Sequence, residues 1–170
     1  GGGLRMNAGA MGSELFDVVE TVRFMDPEGA VFEMLAESIE HQYRSCPLLK
    51  NQIALGAVLK GEPNTAEAIA ARMAEFGHRR WASQPKAPSA GCIFKNPEAI
   101  PAGKLVDELG LKGASEGGAM VSEEHGNFIV NKGGATADDI LRLIRRIREQ
   151  ALIERGIELQ PEVQIIGGKE

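Results

Sequence analysis

The sequence predicts an α+β fold in two lobes, and three observations carry that reading. Val18, Glu20, Val22 and Phe24 alternate with Val19, Thr21 and Arg23 at strand period, just ahead of the turn residues Asp26-Pro27-Glu28-Gly29. Far downstream, Ile140, Leu143, Ile144, Ile147 and Ala151 fall on one face of a helix. Between the two lies a polar, Pro-containing connection followed by a first helix pattern. The expected division is residues 1–63 and residues 64–170, the second lobe having helices on a small mixed sheet.

The elements follow in order. Residues 1 to 12 are Gly-rich and permit positive φ and close backbone approach to a ligand. Residues 15 to 35 read as a hairpin, and Ile53 to Leu59 as a further apolar strand. Asn64 or Thr65 caps a helix running to about Gly77, with Glu67 completing a box with Asn64 and with Ala68, Ile69, Met73 and Phe76 as its apolar face. Pro101 starts a helix through Leu109 and Gly110 stops it. Two strands, Ala119 to Ser122 and Asn127 to Asn131, flank the turn Glu123-Glu124-His125-Gly126. Thr136-x-x-Asp139 opens the last helix as a capping box and Gly156 ends it. Ile157 to Gly168 reads as a closing strand.

Composition excludes several classes. Apolar residues make up 43% of 170, enough for a core, and the formal charge of -5 argues against a nucleic-acid or anionic-membrane surface. No apolar run approaches the ~20 residues of a spanning helix, and no secretory signal opens the sequence, so a cytoplasmic, monomeric protein is the expectation. The two cysteines, Cys46 and Cys92, suggest neither a disulfide framework nor a zinc site, and no other metal constellation is visible.

The stretch that concentrates chemistry is Ser89-Ala90-Gly91-Cys92-Ile93-Phe94-Lys95-Asn96-Pro97. Cys92 could be a nucleophile, a proton donor or a small buried hydrophobe, and residue types alone favour the buried structural Cys. Lys95 and Asn96 are residue types that hold a phosphate or a sugar hydroxyl. Arg44, in Tyr43-Arg44-Ser45, reads as a solvated turn residue. Glu162 reads as an edge-strand Glu or as a buried acid that needs a partner. His78-Arg79-Arg80-Trp81 reads as solvated charge, and so do Arg142, Arg145, Arg146 and Arg148. His125 alone in a Glu-rich turn reads as solvated.

The order of these residues closely resembles the signature of the bacterial UDP-N-acetylenolpyruvoylglucosamine reductases. Leu4-Arg5-Met6-Asn7-Ala8-Gly9-Ala10, Tyr43-Arg44-Ser45, the run from Lys112-Gly113 to Asn131, and Leu159 to Gly167 are similar to the same family in the same order. The resemblance implies a flavoenzyme that uses FAD and NADPH to reduce UDP-N-acetylglucosamine enolpyruvate to UDP-N-acetylmuramate, a step toward peptidoglycan and hence cell-wall growth, shape and division. It implies that residues 1–63 are the second half of an FAD-binding lobe and residues 64–170 the substrate-binding lobe. The glycine-rich loop for the FAD pyrophosphate would belong to a part of the family pattern ahead of Gly1, so the chain reads as beginning within the fold. No long insertion follows Asn96-Pro97, which resembles the shorter subtype.

By the same resemblance, Cys92 donates the proton, Arg44 holds the substrate carboxylate and Glu162 is the polar partner of the enolate. Asn7, Ala8 and Gly9 lie at the flavin. Asn96, Lys95, Arg80, Tyr43, Lys112 and His125 bind substrate. A thiol near its ordinary pKa of about 8.5 is protonated at neutral pH, the state a donor needs. Relatives commonly have Arg where this chain has Gln164, and often an aromatic residue where it has Met11. Cys92, Arg44 and Glu162 should line one cleft, with Asn96 and Arg80 further out. One rival reading is a UDP-sugar-binding module without flavin. Another is a scaffold that kept the fold and lost activity.

Overall fold

The computed structural model describes residues 1–167, which divide into two compact units, Gly1–Met73 and a second from Ala74 onward. The division falls inside a helix, ten residues after the composition change at 63/64 that the sequence suggested.

The first unit opens with one helical turn, α1 (Gly2–Arg5), because burial of Leu4 anchors an otherwise Gly-rich start. A small hairpin follows, β1 (Gly9–Ala10) and β2 (Ser13–Glu14), closed by Met11 and Gly12, both at positive φ as a two-residue hairpin turn requires. Next come β3 (Val19–Met25), β4 (Val31–Leu35) and β5 (Ile53–Leu59), an antiparallel sheet in the order β4-β3-β5. Its core gathers Phe16, Val19, Val22, Phe24, Ile39, Cys46 and Leu49. The simple alternation read from Val18 to Phe24 does not hold. Val19 is buried and Val18 exposed, because a bulge against β5 between Val19 and Thr21 switches faces. The other sheet face exposes Val31, Leu35, Ile53 and Val58, and cross-strand pairing groups them in the rows Val31-Met25-Ile53 and Leu35-Thr21-Val58.

Helix α2 (Ala66–Ser83) is longer than expected. Thr65 is the residue that caps it, its Oγ1 accepting the Ala68 N–H at 3.2 Å, and the Asn64–Glu67 box does not form. Gly77 does not stop it. The Ala-rich first half propagates well, and Pro85 supplies the block.

In the second unit, β6 (Ser89–Cys92), α3 (Ala102–Glu108), β7 (Ser115–Glu116), β8 (Ala119–Val121), β9 (Phe128–Asn131) and α4 (Ala137–Arg155) follow. The sheet order is β6-β9-β8-β7 and every pairing is antiparallel, where the sequence suggested a mixed sheet. Tight turns join β7 to β8 and β8 to β9, too short for the crossover that a parallel pair needs. The helices pack on it through Leu105, Val106, Leu143, Ile144, Ile147 and Ala151, each large side chain worth about 1.5–3 kcal/mol on burial. The capping box of α4 is present, Thr136 accepting the Asp139 N–H at 3.2 Å and Asp139 accepting the Thr136 N–H at 2.9 Å, and Gly156 ends the helix at φ 65°.

Among the described residues the closing strand does not form, and Gly168, its expected last residue, lies outside them. Within residues 157–167 there is one bridge, Phe94 with Pro161, since Pro161 has no N–H to continue a ladder. The segment is held instead by Lys95 N–H to Gln160 O at 2.9 Å, Glu162 N–H to Ile93 O at 2.7 Å, and Arg148, whose Nε donates to Leu159 O at 3.0 Å. Arg148 and its neighbours are therefore not simply solvated: Arg142 also pairs with Asp138 and Asp139.

Candidate active site

A cavity of about 330 Å³ in the second unit is lined by Cys92, Asn96, Lys104, Asp107, Lys112, Glu124, His125 and Asn127, with Pro101, Gly103 and Gly126. Four residues singled out in the sequence, Cys92, Asn96, Lys112 and His125, thus meet at one place although they span more than thirty positions.

Local structure explains each. Cys92 ends β6 just after Gly91, whose φ of 81° makes a bulge: Ser89 pairs with Val130 and Cys92 with Phe128, leaving two residues, Ala90 and Gly91, against Ile129 alone. Bulges re-aim the next side chain, and only Gly takes this φ without strain. Asn96 Oδ1 accepts the Ala102 N–H at 3.0 Å, which ties the loop to the start of α3. Lys112 Nζ lies 2.9 Å from Asp107 Oδ2 on the same helix's edge of the cavity.

His125 is half-buried rather than solvated. A Cβ at Gly103 would stand 2.8 Å from its ring, so Gly103 is what admits it against α3. Its ring meets Phe128 edge-on at 4.9 Å. Burial, with the Lys112 charge adding, lowers its pKa below the ordinary value. Gly126 has a parallel role, since a Cβ there would reach 2.5 Å from Gly103 O. Ser122 shapes the turn: its hydroxyl donates to Glu124 and accepts the Glu124 and His125 N–H groups. That hydroxyl holds the Glu124 carboxyl below its usual range.

Glu162 does not line the cavity, but its backbone is bonded to Ile93, the residue after Cys92, and the residue is half-buried. Lys95 is half-buried and bonded through its backbone to Gln160, and Arg80 is exposed near the end of α2; neither lines the cavity. Gln164 is exposed.

In the first unit, Tyr43 and Arg44 are the two central residues of a tight turn closed by paired bonds between Gln42 and Ser45 at 2.9 and 3.0 Å. Arg44 takes a φ of 55°, stacks over the Tyr43 ring at 4.9 Å and donates to Gly9 O at 3.4 Å. Arg44, Tyr43 and Gly9 therefore come together. Asn7 is fully buried, donating to Glu14 at 2.6 Å and accepting the Phe16 N–H at 3.1 Å. It fixes the loop on which Ala8 and Ala10 lie exposed.

Sequence reading passed over Asn127, Gly103, Gly126, Lys104, Asp107 and Glu124. Pro101 at the start and Gly110 at the end of a helical run were the local signs of the α3 wall. Among the described residues, no group of three His, Cys, Asp or Glu could hold a metal ion, and no helix is long and apolar enough to cross a membrane.

Residues 84–166 match the family model described as the C-terminal domain of UDP-N-acetylenolpyruvoylglucosamine reductase. Curated relatives of that name include one from Clostridioides difficile strain 630, 44% identical over 169 residues, which are 98% of this chain and 56% of the relative. Another, from Trichlorobacter lovleyi, is 41% identical over 100% of this chain and 56% of its own length. The crystal structure of UDP-N-acetylenolpyruvylglucosamine reductase from Thermus caldophilus superposes with a TM-score of 0.86 at 43% identity, covering 96% of this chain and 59% of that one. The chain spans a little over half the length of the relatives it matches.

Proposed function

Residues 84–166 form the C-terminal domain of the UDP-N-acetylenolpyruvoylglucosamine reductase family, and from that premise we propose that the chain serves the reduction of UDP-N-acetylglucosamine enolpyruvate to UDP-N-acetylmuramate by NADPH through FAD, in cytoplasmic synthesis of peptidoglycan precursors. The observation that carries this reading is the cavity that gathers Cys92, Asn96, Lys112 and His125, with the Glu162 backbone clamped beside Cys92's neighbour.

Bound FAD, reduced by NADPH, supplies the hydride for the terminal carbon of the enol ether. The 8–10 loop suits a planar ring, because Ala8, Gly9 and Ala10 place nothing larger than a methyl on it. Asn7 serves by holding that loop's backbone, its amide being engaged with Glu14 and Phe16.

Negative charge then develops on the neighbouring carbon and its carboxylate. Arg44 holds the carboxylate with a planar cationic fork, and its Gly9 contact sets it beside the flavin loop. Glu162 is the polar partner of the enolate. Cys92 gives its Sγ proton to the carbon, completing the saturated ether. Asn96, Lys112 and His125 orient the sugar and diphosphate, and Lys95, Tyr43 and Arg80 contribute to the same substrate.

The test is a two-stage assay with the chain joined to the family's flavin-binding portion. NADPH should bleach the flavin, and the enolpyruvyl substrate should restore its colour with formation of UDP-N-acetylmuramate. Bleaching without restoration at saturating substrate would reject the reading. Binding of the UDP-sugar with no restoration would favour the binding-module alternative.

A further inference from the structure

We propose that Asn127 is a positioning residue that sets both walls of the cavity: it fixes the segment between Cys92 and Asn96, and it fixes which ring nitrogen of His125 carries the proton. The regular ladder ends where Cys92 pairs with Phe128. Beyond it, Asn127 O accepts the Ile93 N–H at 2.9 Å. The side-chain amide then stands in for a further strand residue, Oδ1 accepting the Phe94 N–H at 2.9 Å and Nδ2 donating to Phe94 O at 2.8 Å. Residues 93–95 are thereby held between Asn127 on one side and Gln160–Glu162 on the other. Asn127 is 2% exposed and Phe94 1%, so water does not replace these bonds.

The main-chain N–H of Asn127 donates to His125 Nδ1 at 3.1 Å. That nitrogen must then be unprotonated, which leaves the proton of the neutral ring on Nε2. Lys104, Asp107, Lys112 and Glu124 are the charged groups that share the cavity with the ring. Asn suits position 127 because its amide both accepts the Phe94 N–H and donates to Phe94 O, the main-chain groups on either side of one residue. A carboxylate would turn an oxygen onto Phe94 O.

The catalytic meaning of this placement rests on the proposed function, but its geometry can be tested without flavin or substrate. In the 170-residue chain, ring ¹⁵N correlation spectra should show His125 protonated at Nε2; a ring protonated at Nδ1 overturns the proposal whatever the variants do. Iodoacetamide labelling, read peptide by peptide, should then speed up at Cys92 about tenfold in Asn127→Asp, and in Asn127→Ser, as the segment opens. Asp139→Asn, which loosens α4 elsewhere in the unit, should leave the Cys92 rate within about twofold of the parent. Folded Asn127 variants with the parent's labelling rate would sink the idea, since the main-chain N–H that sets the ring tautomer is present in them all. In the flavin-loaded assembly, Asn127→Asp should slow substrate reduction and spare NADPH oxidation. If the labelling result holds and this does not, the fault lies with the proposed function and not with the positioning role.

Discussion

At the scale of single residues, the proposed chemistry separates two half-reactions. In that proposal Cys92 acts only when the carbon is protonated. In the flavin-loaded assembly, Cys92→Ala should slow substrate reduction by about a hundredfold or more while NADPH oxidation keeps its rate. Cys92→Ser, a small side chain with one transferable proton, should retain much of the activity. Stopped-flow absorbance of the flavin reads both phases, and equal damage to both would point to a folding defect. Arg44 illustrates a different constraint. Its left-handed turn position suits Gly, so Arg44→Gly should leave the melting temperature nearly unchanged while abolishing substrate reduction. Cys92 and Asn96 were legible because their order within nine residues is distinctive. Asn127 was not, because it reads only as the first residue of the strand Asn127 to Asn131, and the residue it serves lies 33 positions earlier. His125 was undervalued for a related reason: the missing Cβ that admits it belongs to Gly103, on another element.

Local signals were read correctly at α4, while at α2 the Asn64–Glu67 box does not form and Gly77 does not stop the helix. The cap of α4 is contained in Thr136 to Asp139. Its consequence is a pH dependence. Hydrogen bonds from the Thr136 backbone and side chain, with Arg142 adding, hold the Asp139 carboxyl down at about 2 from an ordinary 3.8. Its contribution to stability is complete above the ordinary value and is lost as pH falls through about 2. Asp139→Asn should therefore lower the melting temperature at pH 7, and the gap to the parent should close as pH drops through that window. A gap independent of pH would assign the effect to the cap bond alone. For α3, Gly126→Ala should cost about 1–3 kcal/mol in denaturant unfolding, because backbone atoms of Gly103 cannot yield to a new methyl group. The strand that does not form over 157–167 carries the opposite lesson. Its apolar residues look like a strand, but Pro161 limits it to one bridge and Arg148 supplies the hold that a ladder would have given.

At the scale of the whole chain, there are two cores, one around Val22 and Phe24 and one around Leu105 and Leu143. Each closes on its own residues, so unfolding should not be a single transition. Calorimetry should resolve two, with Asp139→Asn and Gly126→Ala shifting only the one that belongs to the second unit. A single sharp transition moved as a whole by either variant would contradict this. The α+β class and the two-lobe order were legible in the sequence because periodicity changes from strand to helix along it. The antiparallel character of the second sheet was not, since it depends on which strands neighbour β9. Helix α2 has one more consequence. It has no buried residue along its whole length, and its alanines' intrinsic preference favours the helix. In terms of recombination, it is the natural crossover point. Chimeras that switch between this chain and the Clostridioides difficile relative inside α2 break neither core, and should fold far more often than chimeras switched within β9 or α4.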